Sequence, residues 1–349
     1  MAVVDTFELA RVLGLVAISF IITILWTPAL THFLYKYNLG KRIRTGKNAP
    51  IFAKLHEHKE GTPTMGGVLI WGTVLFLMGV FWAISSLFPD SPFAIFNFLN
   101  RGQTYLPLAA LAAAATVGLA DDLLGIFYTK GSFRGGLRMK HRAFLYFLVA
   151  AIGALWFFFR LDWDVLYIPF LGEFNIGLWY IPYFILVIFA TSFSVNETDG
   201  LDGLAGGVLM MAFASYGVLA FVQGRFDLAA LIGVIVGALL AFLWFNVPPA
   251  RFFMGDTGAM SLGVALGVIA MLTNLSLLLP VIGVVLVIES TSVILQISSK
   301  KLFKKKMFLS TPIHHHLQAS GWPESKIVMR FWIISAVSAG TGIIIGLIG

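Results

Sequence analysis

From Leu228 to Phe245 the chain reads LAALIGVIVGALLAFLWF, eighteen consecutive residues without one charged side chain. A helix needs about 20 apolar residues to cross a hydrocarbon layer roughly 30 Å thick, so this stretch predicts a transmembrane helix. Working outward, the same reading finds nine further segments of this kind, approximately Leu9–Leu34, Gly66–Phe88, Leu106–Phe127, Ala143–Phe159, Leu178–Phe193, Leu204–Val222, Ala259–Thr273, Ser276–Ile297 and Ile327–Ile348. The boundary between the eighth and ninth spans, at Thr273–Ser276, is the least marked. Composition agrees: 58% of the 349 residues are hydrophobic and 12% charged, with a mean hydropathy of +0.89, where a soluble domain carries about 25% charge. The expected fold class is an all-α integral membrane protein of about ten transmembrane helices. Residues 1–349 are expected to form a single polytopic domain, because no connection is long enough to hold a second core. The first span is too long for a signal-peptide core and is followed by basic residues, so it is expected to be retained. With no cysteine, disulfides and thiolate metal sites are excluded.

Lysine and arginine fall in alternate connections. The connection after the first span holds Lys36, Lys41, Arg42, Arg44, Lys47, Lys54 and Lys59, and the one after the third holds Lys130, Arg134, Arg138, Lys140 and Arg142. Arg251 follows the seventh span, and Lys300, Lys301, Lys304, Lys305, Lys306, Lys326 and Arg330 lie between the ninth and the start of the tenth. Together these are 20 of the 24 basic residues. The opposite side has Arg11, Arg101, Arg160 and Arg225. By the positive-inside rule the basic connections face the cytoplasm and both termini lie outside. The net charge of +7 therefore reads as topology and not as a nucleic-acid partner.

The same assignment gathers the acids and histidines on the cytoplasmic side, although none of them was used to set it. Carboxylates are costly near hydrocarbon, so their clustering points to use. Asp121-Asp122 closes the third span. Adjacent helical residues point about 100° apart, so one is expected to meet a reacting group and the other a metal shell or a lysine. A solvated helix end is the plainer alternative, though acids there oppose the helix dipole. In Asn196-Glu197-Thr198-Asp199-Gly200-Leu201-Asp202-Gly203 the glycines favour a tight turn with exposed amides, suited to a phosphate or a base. A plain turn is the rival, but three acids without a cation in the same loop are hard to place in one. Neither a Rossmann fingerprint nor a P-loop is present. Phe253-Met254-Gly255-Asp256 precedes the eighth span, where Asp256 also suits a helix cap and Phe253 an interfacial anchor. His314-His315-His316 follows Pro312 in a loop. Successive residues of an extended segment point opposite ways, and a fourth zinc ligand at recognisable spacing is missing, so hydrogen bonding to phosphate is the expectation. Lys300–Lys306 suits a cytoplasmic anchor or anionic headgroups. Glu289, within the ninth span beside Ser290, Thr291 and Ser292, is a functional candidate by default. Gly233/Gly237, Gly263/Gly267 and Gly342/Gly346 are small-residue pairs for close helix packing, inside the chain or in a homodimer.

These stretches resemble the phospho-N-acetylmuramoyl-pentapeptide transferase (translocase I) family, of the polyprenyl-phosphate N-acetylhexosamine-1-phosphate transferase superfamily. The match runs through Gly61-Thr62-Pro63-Thr64-Met65-Gly66-Gly67, Asp121-Asp122, Asn196–Gly203, Phe253–Asp256, Pro312–His316, Gly321-Trp322-Pro323-Glu324 and Arg330–Ser335, in order along almost the whole chain. The histidine triplet is its most specific part. Ser310-Thr311 departs from the usual Met-Ala of the family. The resemblance implies a bacterial inner-membrane enzyme with periplasmic termini and a cytoplasmic active site. It implies that UDP-N-acetylmuramoyl-pentapeptide reacts with undecaprenyl phosphate to give lipid I and UMP, with Mg²⁺ required. It implies Asp256 as the Mg²⁺ ligand, and Asp121, Asp122 and His315 beside it as catalytic. It further implies Asn196, Asp199, Gly200, Leu201, Asp202 and Phe253 on the uridine side, with Phe253 stacking on uracil. Lys59, Thr64, Lys140, Gln296, His314 and His316 are implied as nucleotide and diphosphate contacts. Two alternatives stand beside it: a related transferase using UDP-N-acetylglucosamine, and an ion-coupled secondary transporter, which would place its ionisable groups near the midplane. The lipid must approach from the bilayer, and the ninth span, with Pro280 early and Glu289 within, is expected to be the bent wall of its groove.

Overall fold

A computed structural model describes residues 5–40, 59, 61–127, 137 and 139–349. The basic residues Lys41, Arg42, Arg44, Lys47, Lys54, Lys130, Arg134 and Arg138 lie outside the described residues. The long apolar runs all become helices: α1 (Thr6–Lys36), α2 (Val68–Leu87), α3 (Tyr105–Phe127), α4 (Met139–Arg160), α5 (Tyr180–Thr198), α6 (Leu204–Val222), α7 (Phe226–Asn246) and α8 (Gly255–Leu272). A short α9 (Leu279–Ile282) and a longer α10 (Val284–Phe303) follow, then α11 (Ile313–Ala319) and α12 (Glu324–Ile348). Among the described residues nine helices are long and apolar enough to cross a membrane, or ten when α9 and α10 count as one broken span. The chain is an all-α integral membrane protein apart from a small antiparallel hairpin, β1 (Val165–Ile168) and β2 (Gly172–Asn175), in which Val165 pairs with Asn175.

α8 is the axis of the bundle. Each of its residues from Gly255 to Leu272 is buried, whereas α1 and α12 show wide apolar faces. α3 and α5 flank it most extensively, while α1 pairs with α7 and α6 with both α7 and α12. The glycine pairs explain these approaches. A side chain at Gly263 or Gly267 would press on Ser192 and Ile188 of α5, and one at Gly233 or Gly237 on Val16 and Ser19 of α1. Gly342 and Gly346 meet Ile282 and Leu219 in the same way. All three pairs are thus used within the chain.

The expected bend in the ninth span is present, at 83°. It falls at Gly283, between α9 and α10, while Pro280 sits in the first turn of α9 where its missing N–H costs nothing. The resulting α10 leans on α5 through a Ser194–Ser290 hydroxyl pair at 3.0 Å. Because the helices alternate in direction, the end of α3, the start of α4, the end of α5 and the starts of α6, α8 and α12 share one end of the bundle, with α11 among them. A cavity of about 480 Å³ lined by Trp163, Glu173, Arg225 and Asn274 lies at the opposite end, remote from the motifs.

Candidate active site

The first turn of α8 organises the acids. Gly255 enters it with φ +75°, a conformation that favours glycine, and any side chain there would meet Thr64 Oγ1 and Asp122 Oδ2. The first amides of a helix lack partners within it and carry its positive end. Here they are answered by carboxylates from other helices. Asp122 accepts from Asp256 N at 3.2 Å and Thr257 N at 3.0 Å, and Asp199 accepts from Gly255 N at 3.2 Å. Asp256 therefore does not cap its own helix. Its Oδ1 instead accepts from Asn196 Nδ2 at 2.8 Å and Arg142 NH1 at 3.3 Å.

Asp121 and Asp122 sit inside α3, which runs on to Phe127, and both are fully buried. Their division of labour is the one adjacent helical positions require, with a different partner for Asp122 than a lysine or a metal shell: the backbone of α8. Asp121 faces Arg142, whose Nε lies 2.5 Å from its Oδ2, and its Oδ1 accepts from Leu137 N at 2.5 Å. Arg142 thus joins Asp121 to Asp256 as a buried cation. Sequence reading counted it only as topology and named Lys140, which lies exposed on the first turn of α4. The signal that could have found it is periodicity: two residues beyond Lys140, Arg142 falls on another face of the helix.

The Asn196–Gly203 segment finishes α5, turns, and enters α6 through Gly203 at φ +78°. Asp202 is buried and occupied: Lys59 Nζ is 2.6 Å from its Oδ1, and Ala250 N donates to its Oδ2 at 3.0 Å. Glu324, at the start of α12, takes the same ammonium at 2.6 Å and the Asp202 N–H at 2.7 Å. Sequence reading quoted Glu324 in a motif without giving it a role. Lys59 also lies 5.9 Å from the centre of the half-buried Phe253 ring. Leu201 belongs to the buried core. Gly66 and Gly67 donate to Phe253 O at 2.8 Å and Met254 O at 2.9 Å, while Phe253 donates to Pro63 O at 2.9 Å. The segment holding Thr64 is thereby laced to the loop before α8.

The histidines are helical, not extended, because α11 begins at Ile313. His314 and His315 are buried with ring centroids 4.0 Å apart. A side chain on Gly200 would collide with His314 Nε2 and crowd His315 Nε2, which places both imidazoles against the Asn196–Gly203 turn. His316 Nδ1 accepts from Leu309 N at 3.2 Å. Gln296 is buried and committed to backbone, accepting from Met307 and Phe308 N–H and donating to Phe308 O. It braces the connection that carries the histidines.

Residues 104–274 match the model of glycosyl transferase family 4, and residues 59–70 match signature 1 of the phospho-N-acetylmuramoyl-pentapeptide-transferases. Curated proteins named phospho-N-acetylmuramoyl-pentapeptide-transferase align nearly end to end. One from Chloroflexus aggregans is 38% identical over 98% of this chain and 91% of its own length. One from Geobacillus thermodenitrificans is 37% identical over 94% and 96%, and one from Clostridium novyi 34% identical over 92% and 93%.

Proposed function

The chain belongs to the phospho-N-acetylmuramoyl-pentapeptide-transferase family, and from that premise we propose how its residues divide the work. The reaction joins phospho-N-acetylmuramoyl-pentapeptide, from its UDP-linked donor, to undecaprenyl phosphate, giving lipid I and UMP for peptidoglycan synthesis. The observation that carries the reading is the meeting of Asp121, Arg142, Asp256 and Asn196 beside the Gly200 turn and the histidines, at one end of a membrane bundle.

The donor set suits Mg²⁺. Asp121 and Asp256 already share one cation, the Arg142 guanidinium. No group of three or more histidine or acidic side chains is poised for a metal among the described residues, but Mg²⁺ takes only one or two carboxylates and fills its shell with phosphate oxygens and water. Asp256 would hold it, with Asp121 within reach of the same region, and the ion would neutralise diphosphate charge. The chain's own residues supply the rest. Phosphoryl transfer asks chiefly for positioning and charge neutralisation. Asn196 fixes the Asp256 carboxylate, Lys59 supplies a positive hydrogen-bond donor and the histidines further hydrogen-bonding groups, and Phe253 offers a face for uracil. The lipid phosphate attacks the β-phosphorus, the bond to the UMP oxygen breaks, and UMP leaves with that electron pair. A phosphate monoester has its second pKa near 6, so it arrives largely dianionic and needs orientation by Asp121 more than deprotonation. The distribution of lysine and arginine supports a bacterial inner membrane enzyme whose site faces the cytoplasm. The bend between α9 and α10 supports a lateral route for the lipid.

The test is UMP release from full-length protein in nanodiscs with undecaprenyl phosphate and either UDP-N-acetylmuramoyl-pentapeptide or UDP-N-acetylglucosamine. Turnover with the first alone is expected, and preference for the second refutes the substrate assignment. UMP exchange into the donor without any lipid acceptor would replace direct displacement by a covalent enzyme intermediate.

A further inference from the structure

The cavity of about 480 Å³ at the end of the bundle away from the motifs is lined by charged groups that the transferase reading leaves idle. Arg225, just before α7, is half-buried there, with its guanidinium 5.6 Å from the centre of the Trp163 ring. It has no carboxylate within ion-pair distance among the described residues. Burial weakens its hold on its proton, and no acid is close enough to offset that. Asp162, Asp164 and Glu173 line the same space. Asp164 accepts from Asn175 Nδ2 at 2.6 Å, while Asp162 and Glu173 are exposed and their carboxylates have no partner among the described residues. Asn274 ties the hairpin to the connection after α8, its Oδ1 accepting from Tyr167 N at 3.2 Å, which leaves its Nδ2 as a donor.

The rim shows what reaches this space. Phe170 and Leu171 at the hairpin tip, and Leu178 and Trp179 before α5, are largely exposed. Exposed aromatic and aliphatic side chains at the end of a membrane bundle belong at the depth of the lipid headgroups. We propose that the cavity holds the headgroup of an aminophospholipid, its phosphate on Arg225 and Asn274 and its ammonium on Asp162, Asp164 and Glu173. The assignment goes beyond the transferase reading and does not depend on it. An anion alone would gain one guanidinium and face three carboxylates, and a cation alone would meet Arg225. A zwitterion answers both. A guanidinium suits two phosphate oxygens at once, and a primary ammonium brings three N–H donors to the acids. A choline headgroup lacks those donors, and a glycerol headgroup lacks the positive charge. The acids do not form a group poised for a metal among the described residues, whereas a cavity of this size suits a small polar group.

Native mass spectrometry of the full-length, delipidated protein in detergent tests it, with phosphatidylethanolamine, phosphatidylcholine or phosphatidylglycerol of the same acyl chains as titrant. One saturable phosphatidylethanolamine site is expected, about fivefold tighter than for either other lipid, the scale of solvent-accessible ion pairs. Arg225→Gln should weaken it about tenfold or more, the cost typical of losing a hydrogen bond to a charged group. Asp162→Asn combined with Glu173→Gln should bring it within about twofold of phosphatidylcholine, because these acids meet the ammonium. Thermal midpoint and size-exclusion profile establish that each variant is folded. Equal affinity of the wild-type protein for the three lipids overturns the proposal with no variant made. Unchanged affinity in folded Arg225→Gln, or an ethanolamine preference that survives the double substitution, overturns it as well. Free O-phosphoethanolamine is the last arm: if it displaces the lipid at equal concentration, the cavity serves a soluble zwitterion and the lipid assignment fails.

Discussion

Around the start of α8, carboxylates from α3 and from the turn after α5 are fastened by backbone amides and one guanidinium, whereas at the junction of α10 and α11 the imidazoles of His314 and His315 are met by side chains. The first region rests on a helix whose residues are all buried. The second hangs from a helix set at 83° to the one before it, with much of its surface exposed. Amides at a helix start cannot move without the helix, so the carboxylate half is rigid by construction. The histidine half depends on rotamers held by Glu289 and Gln318, and on Gln296 bracing the connection behind it. The difference suits the proposed division of work: carboxylates that would hold a cation need reproducible placement, while the histidines are set by the side chains around them.

The largest effect should come from the carboxylate half. Asp256→Asn keeps the acceptor for Asn196 but removes the charge that faces Arg142 and would hold the proposed divalent ion, so kcat should fall on the order of a thousandfold. The folded bundle should persist, as judged by size-exclusion and the thermal midpoint. Activity within tenfold of wild type would remove Asp256 from the metal site and dissolve the contrast between the halves. Gly200→Ala probes their seam. Its new methyl group would overlap His314 Nε2, so either the turn or the imidazole must shift, and a misplacement of about 1 Å can cost a hundredfold. A loss of that size with an unchanged fold is expected; wild-type kinetics would show that the histidines do not need the turn.

Asp122→Asn should act on stability first. Asp122 answers two amides at the start of α8, and an Asn side chain offers one carbonyl oxygen in place of two and no charge to meet the helix dipole. The loss should be about 1 kcal/mol, the usual worth of a cap, seen as a thermal midpoint lower by a few degrees. Unchanged stability with abolished turnover would instead put Asp122 among the groups that touch substrate, the role proposed for Asp121.

Each span was readable from its apolar run, and the bend of the ninth was expected from its proline, though Gly283 makes it. What apolar composition hides is which helix lies inside. α8 and the lipid-facing helices draw on the same residues, since lipid and protein interior are equally apolar, so the burial of α8 shows only in packing. The aspartates, the glycine-rich turn and the histidines were legible because charged groups stand out against hydrocarbon. Their partners were less so. Glu324 and Lys59 lie far apart in sequence yet meet on Asp202, a pairing that no spacing rule encodes. Glu289 was visible as a buried acid, but His314 as its partner required the path of the chain through α11.

The smallest expected effect separates Arg142 from Lys140. Both are basic and two residues apart, and positive-inside counting treats them alike. Arg142 is largely buried, with its guanidinium between Asp121 and Asp256, while Lys140 is exposed on the same helix. Replacing an exposed side chain away from special contacts changes free energies by about 0.5 kcal/mol or less. Lys140→Ala should accordingly leave kcat/KM for the UDP-linked donor within about twofold. Arg142→Ala, measured alongside, takes the shared cation from two buried carboxylates and should lose more than about tenfold. If Lys140→Ala costs as much as Arg142→Ala, the ammonium reaches the diphosphate once substrate is bound, and the first turn of α4 then supplies two cations to the site instead of one.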